Sequence, residues 1–258
     1  MIIGAFPWKH LKSKEKERRI RLKILAIDSS GLVASAALAT EDSLLAEYTV
    51  NYKKTHSQTL LPMVDEIVSM LEFDLKEIDA IAITAGPGSF TGLRIGAATA
   101  KGLGMVLEKP IVAVPTVEAL AWNLYGVQAV ICPLMDARRN QVYTGLFECT
   151  DRVRPLMEQA ALSVEEIIAK VNELGREVIY LGDGVDAYKE KLCMDTKVPF
   201  SFAPAHLSRQ RAGSLASCAV QYMAEGKIQT AAEHEPIYLR LSQAERERAE
   251  KEQKSEHK

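Results

Sequence analysis

Apolar runs that stop on polar or glycine-rich residues organise the chain from residue 23 onward. Lys23–Ile27 is such a run, closed by Asp28-Ser29-Ser30, and predicts a buried strand. Leu32–Ala39 and Leu44–Val50 follow, with the turn residues Thr40-Glu41-Asp42-Ser43 between them, which predicts an antiparallel meander. The period then changes. Leu60, Val64, Ile67 and Leu71 share one helical face of His56–Leu71, and Pro62 either delays or bends that helix. Ile78–Thr84 predicts another buried strand, ending in Gly86-Pro87-Gly88-Ser89-Phe90-Thr91-Gly92 before a helix over Thr91–Leu107. A strand over Pro110–Val114 and a helix over Thr116–Leu124 complete this set, with Pro115 suited to a first helical turn.

A similar order begins again near Gln128. Ala129–Met135 and Val142–Phe147 predict strands joined by the polar turn Asp136–Gln141. Ser163 with Glu166 forms a capping-box signature that opens a helix over Ser163–Leu174. Glu177–Leu181 predicts a strand stopped by Gly182-Asp183-Gly184, where the aspartate reads as a turn residue. Ala212–Glu225 predicts a helix ended by Gly226. The pattern therefore implies two related α/β lobes, residues 23–127 and 128–240, without a residue-level repeat. Residues 1–22 form a basic extension, read as a flexible segment with an RNA-contacting arm as the alternative. Residues 241–258 form a charged tail.

Composition narrows the function classes. The chain has 258 residues, 47% apolar and 26% charged, with a formal net charge of −2, so no strong global field draws it to nucleic acid or an anionic membrane. No apolar run is long enough to span a bilayer. Cys132, Cys149, Cys193 and Cys218 form no C-x-x-C pair and read as reduced thiols of a cytoplasmic protein. The five histidines have no metal-ligand spacing, so no metal site is expected.

Two features carry candidate chemistry. The glycine-rich loop lies between a strand and a helix, where backbone N–H groups can hold an anion. It lacks the Gly-Lys-Ser/Thr of a Walker A loop and the spacing of a dinucleotide fingerprint. Gly86, Gly88 and Ser89 are the candidate phosphate contacts, and Asp28 could position a magnesium ion; tight structural turns are the competing reading. In the following helix Gly92, Gly96, Ala100 and Gly104 recur every four residues and make a smooth ridge. Each glycine costs about 1 kcal/mol of helix propensity, so close packing against helix His56–Leu71 or against another subunit must compensate.

Ile24–Ser30, His56-Ser57 with Leu60 and Pro62, Gly86–Gly96, Ala100–Leu103, Asp136-Ala137-Arg138 with Val142-Tyr143, and Pro236-Ile237-Tyr238-Leu239-Arg240 together resemble the TsaB (YeaZ) family. The match runs from about Lys23 to Arg240, and GPGSFTGLRIG is its most specific segment. The resemblance implies a two-lobed actin/Hsp70-like ATPase (ASKHA) fold with ribonuclease-H-like lobes. It implies a non-catalytic subunit that binds the TsaD transferase, together with the ATPase TsaE, in forming N6-threonylcarbamoyladenosine at position 37 of tRNA. No catalytic residue and no required cofactor are then expected, although an adenine nucleotide could sit at the subunit junction. Contact with tRNA would come only through the complex, and a homodimer is the expected alternative when TsaD is absent. The expected interface residues are Leu60, Val64, Gly92, Leu93, Arg94, Gly96, Ala100 and Leu103. Gly96→Arg would then block association while leaving the fold soluble.

TsaD-like proteins carry a His-x-x-x-His pair on the helix after the glycine-rich segment. Here Thr116 and Leu120 occupy those positions, and leucine cannot bind a metal. The turn Asp136–Gln141 contains no glycine, so bulky side chains are expected where a nucleotide phosphate would lie. Two other readings stay open on the sequence alone: an autonomous nucleotide-dependent phosphotransferase or ATPase using Asp28 and the Gly86–Gly92 loop, and a metallopeptidase.

Overall fold

In the computed structural model, residues 22–52 and 55–240 are described. The basic extension up to residue 21 and the tail 241–258 lie outside the described residues. Two five-stranded mixed sheets carry the fold. The first contains β1 (Lys23–Asp28), β2 (Ala34–Thr40), β3 (Leu44–Val50), β4 (Ala80–Gly86) and β5 (Ile111–Pro115), in spatial order β3-β2-β1-β4-β5. The second contains β6 (Val127–Asp136), β7 (Gln141–Cys149), β8 (Arg154–Ser163), β9 (Val178–Leu181) and β10 (Phe200–Phe202), in order β10-β9-β6-β7-β8. Read from opposite ends, these are the same topology. An antiparallel meander of three strands is extended by two parallel strands, each reached through a helix.

The helices are α1 (His56–Leu71), α2 (Phe90–Leu107), α3 (Thr116–Ala121), α4 (Val164–Leu174), α5 (Asp183–Asp195) and α6 (Ala212–Ala224). Strand alternation sorts the first sheet into two faces. Leu25, Ile27, Leu38, Ile81 and Ile83 meet Leu60, Met63, Val64 and Ile67 of α1 and Ala100 of α2. The opposite face is alanine-rich: Ala26, Ala37, Ala39, Ala80 and Ala82 pack under Leu215, Ala216 and Ala219 of α6. Small residues on that face let α6 lie close to the sheet. In the second sheet α4 and α5 cover one face through Ile167, Val171, Val185 and Leu192, and α3 covers the other through Val117, Leu120 and Ala121. The last helix of each half thus packs on the other half's sheet, and α3 and α6 touch between them. The second sheet's first strand begins at Val127, one residue before the expected division, and α6 belongs to the first sheet's core. Each fully buried Ile or Leu contributes roughly 1.5–3 kcal/mol, so this exchange joins the halves through their cores.

The capping box at α4 forms as its sequence predicts: Ser163 Oγ accepts from Glu166 N at 3.2 Å, and Glu166 Oε2 accepts from Ser163 N at 2.7 Å. Three elements were not legible in the pattern. β8 is a half-exposed edge strand with no clean alternation, and β10 has three residues. α5 opens on Asp183-Gly184 and buries only Gly184, Val185 and Leu192, so a segment that reads as a turn is a helix start. Among the described residues no helix is long and apolar enough to cross a membrane.

Candidate functional site

The C-terminal ends of β1 and β4 bring the first candidate residues together. Asp28 is buried, and its Oδ1 accepts from Ser30 N (2.9 Å), Ser30 Oγ (2.7 Å) and Thr84 Oγ1 (3.1 Å). Burial raises its pKa above the ordinary carboxylate value, and these hydrogen bonds offset part of the rise. The turn after β1 lies directly on the glycine-rich loop. Ser89 N donates to Ser30 O at 2.7 Å, and Ser29 Oγ donates to Gly92 O at 2.9 Å. A Cβ on Gly88 would stand 2.3 Å from Ser30 O, and one on Gly92 2.1 Å from Ser29 O. These glycines are required by the approach of the neighbouring turn. Gly86 N donates to Thr116 Oγ1 at 3.1 Å, and Gly92 N donates to the N-cap Ser89 Oγ at 3.3 Å. The amides of Gly86, Ser89 and Gly92 are therefore already engaged within the chain.

The second half supplies the facing wall. Asp136 ends β6, and Arg138 N donates to its Oδ1 at 2.8 Å. Asp183 opens α5 and accepts from Asp136 N at 3.1 Å; burial raises its pKa. The β6–β7 turn holds Arg138, Arg139 and Asn140 at φ +63°, +57° and +58°. A left-handed conformation costs an L-residue about 1–2 kcal/mol and costs glycine little, so this turn carries strain that glycines would relieve. A cavity of about 470 Å³ lies between the halves, lined by Ser30, Gly88 and Ser89 on one side and Asp136, Tyr143 and Asp183 on the other. His56 also reaches it, donating from Nε2 to Gly31 O at 2.8 Å.

A strap crosses this cavity. Ile237 N donates to Ala85 O at 2.6 Å, and Ile237 O lies where a Gly86 side chain would begin, 2.2 Å from an ideal Cβ. Tyr238 packs on Phe90 with ring centroids 4.8 Å apart, and Arg94 Nε donates to its hydroxyl at 3.3 Å. Arg240 donates to Ala137 O in the second sheet's turn. Pro236–Arg240 is visible in the sequence as a motif, but its sequence gives no sign that it ties the two halves across the cavity.

The small-residue ridge of α2 faces inward. A Cβ on Gly96 would stand 2.4 Å from Ser29 Oγ and 3.3 Å from Ile83, and one on Gly104 3.1 Å from Ala231. The ridge packs on the β1 turn, β4 and the segment before the strap, and Ala100 shares a core cluster with Leu60, Met63, Val64 and Ile67 of α1. Leu60, Val64, Gly92, Leu93, Gly96 and Ala100 are buried within the chain; Arg94 is exposed and Leu103 half-buried. The Gly96→Arg expectation is corrected accordingly: that arginine would strike the core and test folding. Gly102 is exposed on the face of α2 opposite the ridge, with open space beyond its missing Cβ, and is the position where a bulky residue tests a surface. Thr116 and Leu120 are both buried, the first bonded to the loop and the second in the core around α3.

A family model described as "TsaD: tRNA N6-adenosine threonylcarbamoyltransferase" matches residues 43–248. The chain is similar to the tRNA threonylcarbamoyladenosine biosynthesis protein TsaB of Bacillus subtilis, 35% identical over 87% of this chain and 96% of that protein. The Escherichia coli protein of the same name is 30% identical over 85% and 95%. A crystal structure described as YeaZ from Pseudomonas aeruginosa superposes with a TM-score of 0.72 at 29% identity, over 84% of this chain and all of that one. A second structure from that organism, described as an uncharacterized protein with similarity to peptidase YeaZ, gives 0.74 at 29% identity over 85% and all of that chain.

Proposed function

Because the chain belongs to the TsaD threonylcarbamoyltransferase family, and within it to the TsaB (YeaZ) proteins, we propose that it is a non-catalytic subunit of tRNA threonylcarbamoyladenosine formation that binds and supports the TsaD transferase together with TsaE. One observation carries this reading: the groups a catalytic centre of this fold would use are spent on the chain's own structure. Asp28 is locked by Ser30 and Thr84, three loop amides are engaged, the strap crosses the cavity, and Thr116 and Leu120 are core.

What the chain offers outward is the shared surface of α1 and α2. Leu61, Ala98, Gly102, Met105 and Val106 are exposed there, Val106 at 82%. A docking partner that covers this patch removes apolar area from water, and a stable complex would bury more than about 1,000 Å² in total.

Reconstitution of adenosine-37 modification with and without this chain tests the reading. Modification should require the chain. Gly102→Arg should lose TsaD binding by size-exclusion chromatography while its melting temperature stays at the wild-type value. Magnesium-dependent ATP turnover by the chain alone, lost in Asp28→Ala, would replace this reading with an autonomous phosphotransferase.

A further inference from the structure

Beside the apolar patch, α2 carries a groove about 450 Å³ in volume whose walls include Arg94, Ala98, Lys101, His234, Glu235 and Tyr238. Its cationic groups are held in place by uncharged partners. The Arg94 guanidinium lies over the Phe90 ring at 4.0 Å, and its Nε donates to Tyr238. Lys101 Nζ donates to the carbonyls of Ala232 (3.1 Å) and His234 (2.9 Å). Among the described residues neither cation forms a salt bridge, although Glu235 borders the same groove.

His234 adds a third donor. It is 1% exposed, and its Nδ1 accepts from Gln229 Nε2 at 2.7 Å. An amide nitrogen only donates, so the ring proton sits on Nε2, and Nε2 is buried with no acceptor among the described residues. Burial, and after it the nearby Lys101, holds the imidazole below its ordinary pKa, which keeps it in this neutral form near pH 7. A buried N–H without a partner carries a desolvation penalty that an incoming acceptor would remove.

We propose that this groove receives a carboxylate side chain of the protein that docks on α2, with Arg94 and Lys101 as its charge partners and His234 as a donor at the groove wall. The proposal rests on the docking reading above and adds the chemistry of its rim. A carboxylate fits because a stacked guanidinium presents its remaining N–H groups as a planar fork. The groove also shares Ala98 with the apolar patch, and an apolar centre with a charged rim is the anatomy of a protein interface.

The test is the affinity of the full-length chain for TsaD by isothermal titration calorimetry, at about 0.05 M and about 0.5 M NaCl, where exposed charges are respectively weakly and strongly screened. Wild-type binding should weaken at high salt. The double variant Arg94→Glu, Lys101→Glu should bind at least about tenfold more weakly at low salt and lose most of the salt dependence. The neutral pair Arg94→Gln, Lys101→Met should show a smaller loss in the same direction. Circular dichroism checks that each variant is folded. Folded variants with wild-type affinity and salt dependence overturn the proposal while leaving the docking reading intact. A wild-type chain that fails to bind TsaD at either salt overturns the docking reading and this proposal with it. Restored binding between the charge-reversed chain and a TsaD variant with one surface Asp or Glu changed to Lys would identify the carboxylate.

Discussion

The β1–β5 and β6–β10 halves share a strand order and a helix order, yet their strand-end loops have diverged. Asp28 and Asp136 close the corresponding first strands, and each accepts a hydrogen bond from the backbone N–H two residues on. Gly86 and Gly182 close the corresponding fourth strands, both at positive φ (+117° and +104°). From there the halves part. The first inserts Pro87-Gly88-Ser89 before α2 and presses the β1 turn onto that loop, whereas the second enters α5 at once from Gly182. Asp28 is sealed in by hydroxyls, while Asp136 sits beside the Arg138 guanidinium at 3.2 Å. A duplicated fold can therefore keep its backbone requirements while the chemistry of equivalent positions drifts apart.

The two glycines give the largest test of this difference. A Cβ at Gly182 would stand 2.1 Å from Leu134 O in the buried C-terminal part of β6, whereas at Gly86 it would meet Ile237 O in the strap. A sheet strand cannot retreat, but a strap can. Gly182→Ala is expected to cost about 3 kcal/mol or more in urea denaturation, and Gly86→Ala about 1–2 kcal/mol with displacement of the strap. Equal costs would show that the strap is as rigid as the sheet.

The strap supplies the next effect. Arg240→Ala should cost about 1 kcal/mol by removing one hydrogen bond between the halves, and hydrogen exchange at the β6–β7 turn should quicken. Tyr238→Ala should cost about 1 kcal/mol through its contact with Phe90, with faster exchange at the start of α2 instead. Unchanged exchange in both variants would mean that the strap does not hold the halves.

The smallest effect concerns the paired aspartates. Burial raises the folded-state pKa of Asp28 above its ordinary value of 3.8, so the folded state holds this proton more tightly than the unfolded chain. The resulting stabilisation is present below that ordinary value and is lost as pH rises through the folded pKa. Asp28→Asn keeps an acceptor for Ser30 and Thr84 and cannot ionise. It should therefore be more stable than wild type at pH 7 and remove part of the decline in stability between acidic and neutral pH. A steeper decline in Asp28→Asn would contradict the burial argument.

The sequence by itself determined the strands and helices whose apolar period is strong. β1, β4, α1, α2 and α4 could be read from residue spacing, and the Ser163–Glu166 cap from two residues alone, because these signals are local. The resemblance added the family and the two-lobed fold. The half-exposed β8 and the polar α5 were not legible, since neither writes a clean period. Tertiary structure alone decided what the glycine ridge covers. A small-residue stripe states that something approaches closely but not what, and here Ser29, Ile83 and Ala231 fill it from the same chain. Tertiary structure also decided the exchange of α3 and α6 between the sheets, the strap across the cavity, and the convergence of Arg94, Lys101 and His234. The packing of α6 on the first sheet, the strap and that convergence each join residues more than a hundred positions apart, whose meeting is set by packing and leaves no mark in local sequence.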